Sequence, residues 1–205
     1  SYKHHGEREH VGNWAYKKQF STDRISVHER RTTGDWQIAI RGSDFGQFGR
    51  DPTSDLANDS YIATGTETQS TEFKNTENKV KHLMKMHKAL HPNGKMHLSG
   101  HSLGGSMVSH MMHNPEISKY VDSAHAFNPG ASPFTEKQKH PKHMHVHIND
   151  TDLVSFFNHA DTGASVHYHE SETADPIESH WRQDWVDGSY WQGYSLRTAT
   201  AFESS

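Results

Sequence analysis

Apolar side chains recur along this chain with two different periods. Those of residues 71–90 return about every 3.5 residues, which predicts an amphipathic helix with Ser70 or Thr71 as its N-cap and its end at the sequence HPNG. In the segment DWQIAI, Trp36, Ile38 and Ile40 alternate with Gln37 and Ala39, which predicts a strand ending at Gly42. The positions predicted to face the core from the helix are Phe73, Val80, Leu83, Met84, His87 and Leu90.

Further elements follow the same two periods. KMHLSG, from Lys95, predicts a strand, and GGSMVSHMMHN predicts a helix that Pro115 ends. VDSAHAFNP and KHMHVHIND predict two more strands, residues 13–20 a short helix, and the Gly-, Asp-, Ser- and Thr-rich residues 44–69 a long loop. Alternating strands and helices predict an α/β fold whose parallel strands are joined by crossover helices, within a single domain spanning residues 1–205.

Composition narrows the function classes. The formal charge of −4 is too mild to indicate nucleic acid or an anionic membrane as partner, and the absence of cysteine excludes disulfides and thiolate metal sites. No apolar run is long enough for a transmembrane helix and no signal peptide is visible, so we expect a soluble protein. The sequence does not indicate its cellular compartment. The 20 histidines are unusual, and we expect the surface field to change strongly with mild acidity.

Gly100-His101-Ser102-Leu103-Gly104 matches the pattern G-x-S-x-G. A predicted strand precedes the motif and a predicted helix follows it, which is the context in which the glycines permit a sharp turn that presents a serine hydroxyl above the sheet. The motif therefore predicts Ser102 as a nucleophile and the N–H of Leu103 as an oxyanion donor. The alternative is a glycine-rich turn in some other fold.

Three segments together resemble the class 3 lipases, the fungal-lipase-like branch of the α/β-hydrolases: IRGSD, GHSLGG and DLVSFF. The resemblance covers roughly residues 35–185, with gaps. It implies the α/β-hydrolase fold, in which helices flank a mostly parallel central sheet, and it implies hydrolysis of carboxylic esters. The chain is short for the family and polar after IRGSD, which indicates a compact version with a small lid or none.

The resemblance also assigns partners to Ser102. The order in α/β-hydrolases is Ser, acid, His. Asp152 stands directly before the apolar pair at 153–154, as the family's acid does, whereas Asp150 falls in a predicted turn and is the alternative. His180 precedes an aromatic residue near the C-terminal end, as the family's base does, and Ser43 in IRGSD matches the second oxyanion donor. The other histidines after Asp152 are His159 and, on a predicted solvated strand, His167 and His169.

Three more histidines, His143, His145 and His147, alternate along a predicted strand and share one face. Three imidazoles could hold Zn²⁺ with an open position for water. We favour a half-exposed strand of a histidine-rich protein, because the spacing of a strand rarely lets three ligands converge. Central parallel strands are normally apolar on both faces, so the polar face indicates an edge strand or an unusual packing layer.

The sequence as a whole predicts a serine esterase or lipase that needs no metal or organic cofactor. Its partner would be a lipid or small ester, with transient contact to a lipid surface. The alternative is a catalytically inactive, lipase-like binding protein with a histidine-rich, pH-sensitive surface. The order Ser102, Asp152, His180, together with Ser43, favours the enzyme.

Overall fold

A computed structural model describes residues 13–42, 71–129, 141, 143–149 and 165–169. The strands in these residues are β1 Trp14–Tyr16, β2 Ile25–Arg30, β3 Asp35–Ile40, β4 Met96–His101, β5 Ser123–Phe127, β6 Met144–Asn149 and β7 Ser165–His169. The helices are α1 Thr71–Leu90, α2 Leu103–Met112 and α3 Pro115–Ser118, with a 3₁₀ turn at Lys18–Phe20.

The strands form one sheet in which they lie in chain order, from β1 to β7. The pairs β1–β2 and β2–β3 are antiparallel, and every pair from β3 to β7 is parallel. Because crossovers between parallel strands are right-handed, a sheet that grows in one direction places its crossover helices α1, α2 and α3 on the same face. The predicted α/β fold with parallel strands and crossover helices is confirmed.

That helix-covered face is apolar. β3, β4 and β6 bring alternate side chains to it, and α1 and α2 bury one stripe each against them. Trp36, Leu83, Leu98 and Met111 are at most 1% exposed, so this cluster excludes water. Burying each such side chain stabilises the fold by about 1.5–3 kcal/mol. The main members of the cluster are Trp36, Ile38, Ile40, Val80, Leu83, Leu98, Met107, Met111, Met144, Val146 and Ile148.

The opposite face is polar and yet buried. His97, Ser99, His125 and His147 are all at most 1% exposed. Polar side chains on this face bond to one another: Gln37 Nε2 donates to Ser99 Oγ across 2.8 Å. A second contact joins the ring of His97 to a serine hydroxyl on β5 at 3.0 Å. Such mutual hydrogen bonds offset the cost of burying polar groups, which is why this face tolerates burial.

The predicted helix over residues 71–90 has the bounds of α1. Five of its six predicted core positions are buried, but Leu90, the last residue of the helix, is 54% exposed. The predicted helix over residues 13–20 is wrong. Trp14–Tyr16 pairs with β2 as a strand, and only Lys18–Phe20 turns. The strand expected to end at Gly42 ends at Ile40.

The expectation for the alternating histidines is corrected in part. His143 and His145 are half-buried as predicted, but His147 is fully buried, and β6 is an interior strand between β5 and β7. Of the two explanations for the polar face, the edge strand is wrong and the unusual packing layer holds. His167 was expected to be solvated, yet it is half-buried, because its ring stacks on those of His145 and His147.

Candidate active site

The chain passes from β4 into α2 through one residue, Ser102. Its φ of 54° and ψ of −123° lie where side chains other than glycine are rarely found, and holding such a conformation costs about 1–3 kcal/mol. Two hydrogen bonds maintain it: Ser102 N–H donates to Phe127 O at 3.0 Å, and Ser106 N–H donates to Ser102 O at 3.0 Å. The sharp strand-to-helix turn that the motif predicts is therefore present at Ser102.

Two glycines of the motif let three backbone segments approach closely. A Cβ on Gly100 would overlap the carbonyl oxygen of Gly104, and a Cβ on Gly104 would overlap the carbonyl oxygen of Ile40. Both obstacles are backbone atoms, which cannot rotate away. The motif glycines thus bring the start of α2 against the ends of β3 and β4, the arrangement that a nucleophile elbow needs.

Leu103 is the first residue of α2 and is half-buried. The N–H groups in the first turn of a helix lack intrahelical acceptors, and the helix dipole places partial positive charge there. The backbone beside Ser102 is therefore suited to stabilise an oxygen that gains negative charge. The oxyanion role of Leu103 stays a prediction on this geometry.

Ser43, the second predicted donor, lies outside the described residues. The backbone that leads to it is held by Arg24, whose Nη1 donates to Arg41 O at 3.0 Å and to Gly42 O at 2.8 Å. Sequence reasoning missed Arg24, because nothing in the polar segment around it indicates a contact with residues 17 and 18 positions away. Arg24 thus holds the backbone just before the position from which Ser43 would act.

The acid and the base also lie outside the described residues: Asp152 with its alternative Asp150, and His180 with its alternative His159. β6 ends at Asn149, three residues before Asp152. Since β3 to β7 are parallel, their carboxyl ends share one edge of the sheet, the edge at which α/β proteins bind ligands.

The histidines closest to Ser102 in sequence are buried residues of β4. His101 and His97 belong to β4 and are 5% and 1% exposed. The Nδ1 of His97 lies 3.0 Å from Ser123 Oγ on the neighbouring strand. The contact of His97 with the neighbouring strand is a structural one.

The zinc alternative finds no support in the described part of the chain, where no group of three or more His, Asp or Glu side chains is arranged to hold a metal ion. Burial instead favours neutral imidazoles. It lowers the pKa of His125 to about 3, with His145, His97 and His167 as further charges that disfavour protonation. Burial likewise lowers the pKa values of His145 and His167.

Ser102 is itself 0% exposed. No helix among the described residues is long and apolar enough to cross a membrane.

No protein-family model matches the chain, and no curated protein sequence matches it. Among solved structures, it is similar to the Lip2 lipase from Yarrowia lipolytica, with a TM-score of 0.52 and 13% sequence identity over 83% of this chain and 70% of that one. At this identity the likeness extends to the fold alone. It supports a lipase-like fold.

Proposed function

We propose that this chain is a serine carboxylic-ester hydrolase of the esterase or lipase type. The observation that carries the proposal is the backbone at Ser102, which is held at positive φ between the buried ends of β4 and β5 and followed at once by a helix N-terminus. Strained backbone conformations are concentrated at functional sites, and in a G-x-S-x-G turn this conformation serves to present the serine hydroxyl above the sheet. The lipase-like fold supports the same interpretation.

The proposed reaction proceeds in two halves. His180 takes the proton from Ser102 Oγ as that oxygen attacks the ester carbonyl, and Asp152 orients the imidazole and stabilises its charged form. The N–H groups of Leu103 and Ser43 hold the oxyanion. The alcohol leaves with the proton from His180. A water then gives a proton to His180 as its oxygen attacks the acyl carbon, and His180 returns that proton to Ser102 Oγ as the acid is released.

A fluorophosphonate probe tests this function. We expect the parent chain to take one label and Ser102→Ala to take none. Ser106→Ala should be labelled like the parent, because Ser106 lies one helical turn away, is also buried, and its hydroxyl donates to the Ser102 carbonyl oxygen only at the long distance of 3.4 Å. Removal of the nucleophile should lower ester hydrolysis by about 10⁴-fold or more.

The alternative, a non-catalytic binding protein on this fold, predicts a different result. In that case the parent would take no label and would cleave no p-nitrophenyl ester of any acyl length. A label that persists in Ser102→Ala would also refute the proposal, since the nucleophile would then be another residue. The acyl-length profile of the active protein would separate an esterase from a lipase.

A further inference from the structure

Five aromatic rings stack on the buried polar face across β5, β6 and β7. They belong to His125, Phe127, His145, His147 and His167, and we call them the imidazole layer. Rings on neighbouring strands lie nearly parallel: His125 and His145 at 4.8 Å and 13°, Phe127 and His147 at 4.6 Å and 12°, His147 and His167 at 4.9 Å and 18°. These spacings match the distance between paired strands, so the sheet itself sets the stack.

The layer has two rows of stacked rings, His125 with His145 and Phe127 with His147 and His167, and diagonal contacts join these rows. His125 Nδ1 lies 3.0 Å from His147 Nε2, and His145 Nδ1 lies 3.2 Å from His167 Nε2. In each pair one nitrogen must donate and the other accept. A pair can therefore take up one extra proton and keep its hydrogen bond, but a second proton would leave two N–H groups facing each other. Full protonation of the layer is incompatible with this arrangement.

The layer connects directly to the Ser102 elbow. Asn128 N–H donates to His147 O at 2.8 Å, and Phe127, whose ring stacks on that of His147, accepts the N–H of Ser102 at 3.0 Å. Asn128 has a φ of 40°, so the chain turns sharply just where it leaves the layer. The end of β5 is thus held on one side by the layer and on the other side by the elbow.

Positive charge on the histidine rings would weaken the packing of the imidazole layer. Burial lowers the pKa values of His125, His145 and His167, so protonation at any of them opposes the folded arrangement. Other titratable groups act on the layer from the adjacent elements in the described part of the chain: His97 of β4 on His125, and His143 beside β6 on His145. His101 of β4 occupies the register position beside Phe127.

We propose that the imidazole layer positions the Ser102 elbow while its rings are neutral, and that protonation in mild acid releases the end of β5 and with it the elbow. This inference rests on the proposed function where it concerns reactivity, since Ser102 must be the nucleophile for its release to lower activity. His125 and His147 act as positioning residues, through Phe127 and Asn128, and touch no substrate.

Hydrogen exchange measured by mass spectrometry tests the release without any need for activity. Rates at pH 7.5 and pH 5.0 are normalised to intrinsic chemical exchange and followed for peptides that contain Ser102 and Asn128. We expect normalised protection in the parent chain to fall by about tenfold or more. The reason is that the population of an open state in which the imidazoles titrate normally rises about tenfold for each pH unit below 6.5.

A double variant, His125→Phe with His145→Phe, keeps the stacked rings and removes their protons; the phenyl ring of Phe127 already stacks on His147 in this way. Its protection should fall clearly less than that of the parent over the same pH change, because two of the four imidazoles of the layer are gone. His82→Gln, on the exposed side of α1, is the matched control and should respond like the parent. Fluorophosphonate labelling of Ser102 should decline less steeply towards pH 5.0 in the double variant than in the parent.

Protection in the parent that is unchanged at pH 5.0 would overturn the proposal, and so would a double variant that loses protection as strongly as the parent. If the double variant does not fold, the single variant His125→Gln takes its place, with a pH response smaller than that of the parent as the expected result. Failure of the proposed function looks different: Ser102 would remain unlabelled at pH 7.5 whatever the exchange data show.

Discussion

Gly104→Ala probes the contact that brings α2 against the end of β3. The added methyl group would overlap the carbonyl oxygen of Ile40 and would lie 2.9 Å from the carbonyl carbon of Ile40 and 3.0 Å from that of Arg41. All three are backbone atoms at the end of a buried strand. The methyl group can be accommodated only if α2 moves away from β3.

The size of the effect follows from these distances. Ordinary contacts of a Cβ begin at 3.4 Å, so the start of α2 must shift by on the order of 1 Å. Overpacking of this kind lowers the free energy of unfolding by about 1–3 kcal/mol. A displacement of ~1 Å between reacting groups lowers the rate by about 100-fold, so the loss of Ser102 reactivity should exceed what the loss of stability explains.

Urea denaturation followed by tryptophan fluorescence measures the first quantity, and the rate of fluorophosphonate labelling of folded protein measures the second. Gly34→Ala is the matched control: Gly34 has a φ of +73°, its Cβ would meet the ring of His91, and it precedes β3 at the end opposite to Ile40. This control should lose stability and keep the parent labelling rate. If Gly104→Ala labels as fast as the parent, or Gly34→Ala slows labelling equally, the reasoning about the elbow is refuted.

Three further predictions concern stability and the proposed base. Because burial lowers the pKa of His125 to about 3, its contribution to the free energy of unfolding is fully present above the unfolded pKa near 6.5 and falls as the pH drops below that value. At pH 5.0 this residue alone should lower the free energy of unfolding, measured by urea denaturation, by about 2 kcal/mol. A profile that stays flat with pH would contradict the burial of a neutral ring. Leu83→Ala should cost about 2–5 kcal/mol, whereas Leu90→Ala at an exposed site should change the free energy of unfolding by less than ~0.5 kcal/mol; equal effects would refute the assignment of the core. His180→Ala should lower ester hydrolysis by about 10⁴-fold or more while His169→Ala keeps it, and the reverse result would identify His169 as the base.

Local patterns in the sequence were enough for several elements. The period of apolar residues predicted α1 with its observed bounds, because one stripe of a helix of that length must face a core. The glycine pattern around Ser102 predicted a turn between a strand and a helix, because backbone atoms approach too closely there for any Cβ. Ser43, Asp152 and His180 remain sequence predictions joined to this turn by chain order and resemblance.

Other features depend on residues far apart in the chain, and only the tertiary structure decided them. β2 is a strand because it pairs with β3, and β1 is a strand because it pairs with β2, although their own residues carry no clear period. The side chain of Arg24 binds the backbone just after β3, at Arg41 and Gly42, which lie 17 and 18 positions further along the chain.

The histidines show most clearly which properties the sequence determined and which ones the tertiary structure decided. Alternation along β6 determined that they share one face of a strand, since successive side chains point to opposite sides. It did not determine what that face would meet. Chain-order packing of β4 to β7 gathers polar side chains into a single buried face. The spacing between strands brings histidine rings on neighbouring strands, β5 with β6 and β6 with β7, to centroid distances of 4.8 to 5.4 Å. Burial and mutual contact are properties of the assembled sheet, which no single strand possesses.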